Sequence, residues 1–388
     1  MGKLVRKGND ENNTRISFFD INVWDGLVNF VNGREKVYIF GDGKIGKALA
    51  FYFNEAQIRY AGHITSETMP LLKESYEKGK CGIILGLSDL YYPEIMPGLL
   101  SVADESDIFR IPETEKGYLQ NQFTKDNIKN GFWITFYATY FCNLNCRSCL
   151  TRSPICKPDY YDYDQLVKDI ARIKELGLEV HRLNFSGGEP FLHPRALDLF
   201  RLARGAFGNV PTTVYTNGSL CHKLTDSEIQ ELADIGVEIA ITEYPVPNDS
   251  YHDNLKRFYE RADKLGLSTQ IILDVADKEF YRHPYNLSGD EPKHSFFMCH
   301  RYRNCYMVCA YNGQFTKCYS AKTVREFNEA FGTSIPVSDR DFIDIHTDIT
   351  ADDVYGFCMK RTPLCSYCAP PKDTIPWGIS ERKIEEWI

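Results

Sequence analysis

The stretch FWITFYATYFCNLNCRSC, residues 132–149, begins with β-branched and aromatic residues and ends with three of the chain's 13 cysteines. Its first part, Phe132 to Thr139, predicts a buried strand. Cys142, Cys146 and Cys149 follow at the carboxyl end of that strand, and three thiols in one loop predict a metal site. Zinc in a structural site usually takes four protein ligands, whereas an iron-sulfur cluster held by three cysteines leaves one iron open for a ligand that is not protein.

The sequence after this cysteine loop (residues 142–149) alternates between strand and helix patterns. Strands are predicted at 180–185, 212–215, 237–242 and 268–273, with a helix pattern in each interval. Serial β-α units with short loops predict an α/β fold, here a partial (β/α)6 TIM-like barrel with a parallel sheet. In such folds the functional groups lie at the carboxyl ends of the strands.

Two further motifs fall at carboxyl ends of predicted strands: Gly187-Gly188-Glu189-Pro190 after the second and Thr216-Asn217-Gly218 after the third. Together with the C-x3-C-x2-C loop after the first strand, they resemble the radical S-adenosylmethionine (radical SAM) superfamily. The resemblance implies that the three loop cysteines hold a [4Fe-4S] cluster whose open iron binds the amino and carboxylate groups of SAM. It also implies that Gly187, Gly188, Glu189 and Pro190 line the methionine amino group, and that Thr216 and Asn217 lie near the ribose.

The chemistry implied by this resemblance is one-electron cleavage of SAM to methionine and a 5'-deoxyadenosyl radical, which abstracts hydrogen from a substrate. An electron donor such as flavodoxin or ferredoxin is then a partner. The residue before the third cysteine is often aromatic in this superfamily and is Ser148 here, so we expect different packing around the adenine. Glu243 and Tyr244, after the fourth strand, are candidate substrate contacts, although ordinary polar positions explain them equally well.

Seven cysteines occur in the last third of the chain: Cys299, Cys305, Cys309, Cys318, Cys358, Cys365 and Cys368. The pattern Cys299-x13-Gly313-x4-Cys318 followed by Cys365-x2-Cys368 resembles the twitch extension, a shortened relative of the SPASM domain. The resemblance implies a second, auxiliary [4Fe-4S] cluster with four cysteine ligands, in which Cys305 can replace Cys299. Zinc is an alternative at this spacing. Cys309 is a candidate hydrogen donor to a substrate radical, and plain packing is the other interpretation of it.

The N-terminal part contains Gly41-Asp42-Gly43-Lys44-Ile45-Gly46 between a predicted strand at 36–40 and a helix pattern. The G-x-G-x-x-G spacing at Gly41, Gly43 and Gly46 lets backbone amides and a helix N-terminus face a pyrophosphate. This part resembles half of a Rossmann unit. Glycines that only make a tight turn are the alternative, and the acid that would bind a ribose has no clear counterpart beyond Glu67.

The length, charge and hydrophobicity of the chain indicate its domain number and the class of protein to which it belongs. With 388 residues we expect three domains, at 1–125 (Rossmann-like), 126–290 (radical SAM barrel) and 291–388 (cysteine-rich). A net charge of -8 and a pI near 5.7 show no excess of basic residues of the kind that binds nucleic acid. No stretch reaches the ~18 apolar residues of a membrane span, so we expect a cytoplasmic protein whose cysteines are ligands and packing thiols rather than disulfides.

These patterns together predict a SAM-dependent radical enzyme acting on a small sugar, cyclitol or nucleotide-linked substrate. An auxiliary cluster with four protein ligands is suited to accept an electron, which favours oxidation, with epimerisation as the other outcome. A peptide-modifying radical SAM enzyme and a non-catalytic iron-sulfur or zinc protein are the competing hypotheses.

Overall fold

The computed structural model describes residues 5–6, 21–113, 115–116, 119, 132–274, 279–291, 299, 307–369 and 374–388. The chain divides into two compact units. The smaller comprises Ile16–Ile128 and Pro292–Asn304, and the larger comprises Met1–Arg15, Lys129–Glu291 and Cys305–Ile388. A short first strand, β1 (Val5–Arg6), belongs to the larger unit.

The smaller unit is a parallel sheet with helices. Its elements are α1 (Ile21–Asn32), β2 (Lys36–Phe40), α2 (Lys44–Ala56), β3 (Gly62–Ile64), α3 (Met69–Ser75), β4 (Cys81–Leu85), α4 (Tyr92–Leu100) and β5 (Ile108–Phe109). The sheet order is β3-β2-β4-β5, and every pair is parallel. The predicted order of strand, glycine turn and helix is present over β2 and α2. The polar sequence from about Glu113 to Asn130 predicts a linker, but part of it packs within this unit, since Glu115 and Lys116 are buried.

The larger unit alternates strand and helix through its first half. Its elements there are β6 (Phe132–Thr139), α5 (Tyr163–Glu175), β7 (Val180–Gly187), α6 (Ala196–Phe207), β8 (Thr212–Thr216), α7 (Asp226–Asp234), β9 (Val237–Glu243), α8 (Asp249–Lys264) and β10 (Thr269–Asp274). The strands pair in parallel in the order β10-β9-β8-β7-β6, and β1 pairs with β10. This confirms the predicted α/β class and the parallel sheet. The closure of this sheet into a partial barrel stays a prediction.

Local sequence explains where these helices begin. Thr225 and Glu228 form a reciprocal capping box at the start of α7, as their spacing predicts. The sequence pattern predicts a helix from Asn254 to Lys264, and α8 begins earlier, at Asp249, because the side chain of Asn248 accepts a hydrogen bond from the backbone N–H of Ser250. Helix α5 presents Leu166, Ile170 and Ile173 as one buried face, which packs it on the sheet.

Three strands in the second half of the larger unit extend the same sheet, whereas Glu279–Tyr281 and Thr374–Pro376 pair antiparallel in a separate two-stranded sheet. Its elements are β11 (Glu279–Tyr281), β12 (Met307–Tyr311), β13 (Gln314–Thr316), α9 (Val324–Phe331), β14 (Phe342–Asp344), α10 (Ala351–Met359) and β15 (Thr374–Pro376). Strand β12 lies parallel to β6, and β13 and β14 follow in antiparallel pairing. The turn at Asn312-Gly313 joins β12 to β13, with both residues at positive φ, as the hairpin signal predicts. Strands from the segments 126–290 and 291–388 thus share one sheet, and the boundary between them as separate domains stays a prediction.

None of the helices in the described part of the chain combines the length and the apolar character that crossing a bilayer requires.

Candidate active site

The cysteine loop follows β6 and gives each of its three thiols a hydrogen-bonding neighbour. The backbone N–H of Leu144 and the Asn217 side-chain amide each lie 3.5 Å from the Cys142 sulfur. The Trp377 indole N–H lies 3.2 Å from the sulfur of Cys146, and the Cys149 sulfur lies 3.3 Å from the Thr151 hydroxyl. We refer to Cys142, Cys146 and Cys149 as the first cysteine set.

Burial controls the protonation of these thiols. It raises the pKa of Cys142 to about 12 and shifts the pKa of Cys146 in the same direction, with a further contribution from the neighbouring Cys149. Both groups are therefore neutral thiols in the metal-free protein near pH 7. A bound cation would have to supply the charge that makes them thiolates, and the hydrogen-bond donors around them are suited to stabilise thiolate sulfur.

The glycines of the Gly-Gly-Glu-Pro motif are required by close contact between β7 and the start of the cysteine loop. A Cβ atom on Gly187, which has φ +138°, would lie 1.9 Å from the carbonyl oxygen of Thr139. A Cβ on Gly188 would lie 2.1 Å from the carbonyl oxygen of Phe141. Backbone hydrogen bonds run through this contact, from Gly188 to Thr139 at 2.8 Å and from Glu189 to Phe141 at 3.0 Å. Larger residues would push the loop away from the sheet edge.

Glu189 connects the second motif to the third. Its carboxylate is fully buried and accepts hydrogen bonds from the Thr216 hydroxyl at 2.8 and 2.9 Å, from the backbone N–H of Asn217 at 2.9 Å and from the backbone N–H of Phe191 at 3.1 Å. Desolvation outweighs these bonds and raises the pKa of Glu189 to about 7. Pro190 is buried beside it, at the start of a single 3₁₀ turn.

Asn217 completes the connection to the cysteine loop. In addition to its contact with the Cys142 sulfur, its side-chain amide donates to the Asn143 side chain at 3.2 Å, and Asn143 in turn donates to the Ser219 hydroxyl at 2.8 Å. The structure therefore joins the cysteine loop, the Gly-Gly-Glu-Pro turn and the Thr-Asn-Gly turn in one hydrogen-bonded network at the carboxyl edge of the sheet.

A segment that the sequence analysis missed packs on the other side of the loop. In this 377–387 segment, Ile379 forms an antiparallel bridge with Cys146. The Ser148 hydroxyl donates to the carbonyl oxygen of Glu386 at 2.6 Å, and the Trp387 indole donates to the carbonyl oxygen of Cys149 at 3.2 Å. Ser148 is buried at φ +52°. The absence of an aromatic residue at this position thus accompanies a hydrogen bond to the 377–387 segment.

The candidate substrate contacts at the carboxyl end of β9, Glu243 and Tyr244, lie beside this site. The Glu243 carboxylate accepts a hydrogen bond from the Tyr259 hydroxyl at 2.7 Å, which holds it against α8. The ring of Tyr244 lies 6.1 Å from that of Trp377. Burial, with smaller contributions from the three loop thiols, raises the pKa of the Tyr244 phenol well above its usual value, so this group stays protonated. Roles for Glu243 and Tyr244 toward a substrate stay predictions.

The cysteines in the last third of the chain have different surroundings. Cys318 lies two residues after β13, and Cys365 and Cys368 occupy a 3₁₀ turn and its end at 363–368; all three are half-buried. We refer to them as the second cysteine set. Cys309 is fully buried in β12 and pairs with Thr316 of β13. The packing interpretation of Cys309 fits this burial, and its role as a hydrogen donor stays a prediction.

The fourth ligand predicted for the second cysteine set stays open. Cys305 lies outside the described residues, and Cys299 belongs to the smaller unit. Within the described ranges, no three His, Cys, Asp or Glu side chains converge closely enough to share a single metal ion. The cysteines of an iron-sulfur cube each bind a different iron, so that chemistry does not require such convergence.

The glycine turn of the smaller unit borders a cavity of about 410 Å³. Two of its glycines are required by the fold: Gly41 has φ +102°, and a Cβ on Gly46 would lie 2.1 Å from the carbonyl oxygen of Gly41. Gly43 has neither constraint, since a Cβ there would meet open space. Thr65 and Ser66 line the cavity after β3, whereas Glu67 is not among its lining residues.

Comparison with known proteins identifies relatives of the central part of the chain. Residues 136–279 match the family model described as Radical SAM superfamily. The GTP 3',8-cyclase of Chlorobaculum tepidum is 30% identical over 109 residues, which are 28% of this chain and 32% of that protein. This chain therefore spans about a third of the length of that relative.

Two solved structures are also similar to the chain. BtrN in complex with AdoMet and 2-DOIA is 15% identical, with 66% of this chain and 96% of that chain covered and a TM-score of 0.39. Native anSMEcpe with bound AdoMet is 20% identical, with 37% and 44% covered and a TM-score of 0.30.

Proposed function

We propose, from the premise that residues 136–279 form a radical SAM superfamily domain, that the first cysteine set holds a [4Fe-4S] cluster whose open iron binds SAM. The observation that carries this proposal is the single hydrogen-bonded network that joins the cysteine loop, Glu189 and Asn217 at one edge of the sheet. Bound there, the cluster and SAM would supply a 5'-deoxyadenosyl radical by one-electron cleavage.

The donor set of the loop fits this assignment. Three thiols sit in one loop, each with a hydrogen-bonding neighbour, and two of them are neutral until a cation binds. Such donors stabilise thiolate ligands and set the reduction potential of a cluster.

Glu189, Thr216 and Asn217 would hold the shape of the SAM site. The buried carboxylate fixes the turns after β7 and β8 relative to each other, and it can offer negative charge to the ammonium group of SAM. Because its pKa is about 7 without ligand, a bound ammonium would favour its ionised form. The glycines at 187 and 188 keep this part of the site free of side chains.

The second cysteine set would ligate an auxiliary [4Fe-4S] cluster, with Cys299 or Cys305 as the fourth ligand. The spacing of the three described cysteines and their half-buried positions support this. A cluster with four protein ligands has no open iron for substrate, so its role would be to accept an electron from a substrate radical. That favours oxidation, with epimerisation as the other radical outcome.

The substrate class that we propose is a small sugar, cyclitol or nucleotide-linked molecule. The cavity beside Gly43 supports it, since a glycine that neither packing nor φ requires leaves room for close approach of a ligand to the backbone. The relative from Chlorobaculum tepidum is named for a reaction of GTP, which agrees with a nucleotide-linked substrate.

Anaerobic reconstitution with iron and sulfide tests the proposal. With a low-potential reductant and SAM, the wild-type protein should form 5'-deoxyadenosine, detected by mass spectrometry. The variant with alanine at all three positions of the first cysteine set should form none, whereas Cys358→Ala, which removes a buried thiol from α10, should retain the activity. A fully iron-loaded wild-type protein that neither binds SAM nor yields 5'-deoxyadenosine would support a non-catalytic iron-sulfur protein instead.

Deuterated nucleotide sugars then test the substrate class and the reaction. Label that moves into 5'-deoxyadenosine together with a carbonyl product supports oxidation, and an inverted product with solvent hydrogen supports epimerisation. Turnover of a peptide in place of these compounds would overturn the proposed substrate class.

A further inference from the structure

Arg152 is a buried cation with incomplete hydrogen bonding. Its side chain is 1% exposed. One terminal nitrogen donates to the carbonyl oxygen of Leu150 at 3.1 Å and to the hydroxyl of Ser320 at 2.6 Å, and the other reaches the carbonyl oxygen of His283 at 3.5 Å. The Nε–H has no acceptor among the described residues. The guanidinium stacks on the ring of Tyr285 at 3.8 Å.

This environment leaves the charge of Arg152 without a close counter-charge among the described residues. Its contacts are neutral oxygens and an aromatic face, and none of the carboxylates in the described ranges forms an ion pair with it. Arginine stays protonated in proteins, so the charge cannot be removed by titration. A buried charge without a partner is strongly unfavourable, so a negative group that the described residues do not supply is expected nearby.

The surroundings of Arg152 place it between the two cysteine sets. Its own backbone N–H donates to the carbonyl oxygen of Cys149 at 3.0 Å. Ser320, which it binds, follows Cys318 by two residues, and Tyr285, on which it stacks, forms an antiparallel bridge with Cys368. The guanidinium thus contacts the immediate neighbours of two members of the second cysteine set.

Glu326 is the acid that competes with this interpretation. One of its carboxylate oxygens is buried without a hydrogen-bond partner, and both Glu326 and Arg152 influence the thiol of Cys156. The two side chains are nevertheless too far apart for an ion pair in the structure. Substitution of Glu326 is therefore part of the test.

We propose that Arg152 is the buried counter-charge of an iron-sulfur cluster held by the second cysteine set. This rests on the auxiliary cluster of the proposed function. A [4Fe-4S] core with four thiolates is an anion, and it becomes more negative when it is reduced. A fixed cation beside it stabilises the reduced form and makes the cluster a better electron acceptor. Arg152 is thus a positioning and tuning residue for the acceptor, and its position after the cysteine loop ties it to the site of SAM cleavage as well.

The test uses full-length protein with alanine at all three positions of the first cysteine set, so that only the second cluster gives a signal. Iron content establishes that this cluster is present, and an EPR-monitored potentiometric titration then gives its reduction potential. Arg152→Met should shift the potential to more negative values by at least about 59 mV, which is a tenfold change in the one-electron equilibrium. Arg152→Lys keeps the charge and should shift it less. Arg325→Met removes an exposed arginine from α9 and should leave it unchanged.

A second measurement separates charge compensation from ordinary packing. Without the cluster, no described residue supplies a counter-charge to Arg152, so Arg152→Met should leave the metal-free protein at least as stable toward urea as the wild type. With the cluster bound, the same substitution should destabilise the protein or reduce its iron content.

Three results would overturn the proposal. One is an iron-loaded Arg152→Met protein with the potential of Arg325→Met. Another is an equal loss of stability with and without the cluster. The third is a loss of metal-free stability in Glu326→Gln that matches that of Arg152→Met, which would identify Glu326 as the partner.

Failure of this proposal is distinguishable from failure of the proposed function. A protein without the first cysteine set that binds no iron would overturn both the auxiliary cluster and the role of Arg152. Formation of 5'-deoxyadenosine by the wild type requires neither the auxiliary cluster nor Arg152, so SAM cleavage at the first cysteine set would still be supported.

Discussion

The buried carboxylate of Glu189 should make the stability of the larger unit depend on pH. Burial raises the pKa of this group from 4.5 to about 7 in the folded protein. Below pH 4.5 it is protonated in both folded and unfolded chains and has no effect. As the pH rises from 4.5 to 7, the unfolded chain releases the proton while the folded chain retains it, so the folded state loses stability over this window.

The size of the effect follows from the two pKa values. The difference between 4.5 and 7 corresponds to about 3 kcal/mol at any pH above the window. Glu189→Gln has the same shape and no titrating proton, so this loss is absent from the variant. The glutamine still offers one oxygen to Thr216 or Asn217 but leaves another donor unpaired, which costs about 1 to 3 kcal/mol independently of pH. The change of the unfolding free energy with pH, rather than its absolute value, therefore identifies the effect of the carboxylate.

Urea unfolding of metal-free protein between pH 5 and pH 8 measures this slope. In a Trp24→Phe background the three remaining tryptophans, Trp133, Trp377 and Trp387, all belong to the larger unit and report its unfolding. Glu175→Gln, which removes a carboxylate that is 70% exposed, is the matched control and should follow the wild-type slope. Parallel curves of unfolding free energy against pH for wild type and Glu189→Gln over this range would refute this prediction.

Three further predictions concern the first cysteine set. Gly188→Ala should lower the iron content, because the new Cβ would lie 2.1 Å from the Phe141 carbonyl oxygen, whereas Gly205→Ala, which meets no atom within 4 Å, should load iron normally. Trp377→Phe removes the hydrogen-bond donor at 3.2 Å from the Cys146 sulfur. In a variant without the second cysteine set, EPR-monitored titration should therefore give a more negative reduction potential for the cluster of the first set. An unchanged potential would contradict a role for this hydrogen bond. Since burial keeps these thiols protonated, cluster binding must release protons, and iron retention against a chelator should strengthen from pH 7 to pH 9; retention independent of pH would contradict this.

Features set by neighbouring residues could be predicted from the sequence. The bounds of β6, the capping box of Thr225 and Glu228 and the hairpin at Asn312-Gly313 depend on a few adjacent side chains, and the structure confirms all three. The order of strands and helices also follows from local periodicity. The three motifs lie together because parallel strands present their carboxyl ends at one edge.

Contacts between distant residues could not be predicted in this way. The bond between Ser148 and Glu386 joins positions 238 residues apart, and its only signal was an unusual residue in the cysteine loop. Glu189 was expected to face a ligand, and the structure shows that its carboxylate also binds the turn after β8. Nothing in the composition indicated that Arg152 would be buried, since arginines are mostly exposed.

The 377–387 segment gives the cysteine loop a conformation that its own sequence disfavours. Ser148 has a left-handed backbone angle, which costs of order 1 kcal/mol for a residue other than glycine. Backbone bonds from Arg147 to Gly378 at 2.7 Å and from Ser380 to Asn145 at 2.8 Å offset that cost. These bonds therefore help to hold the loop in its thiol geometry. Because that segment begins nine residues after Cys368, we infer that folding around the second set favours assembly of the first.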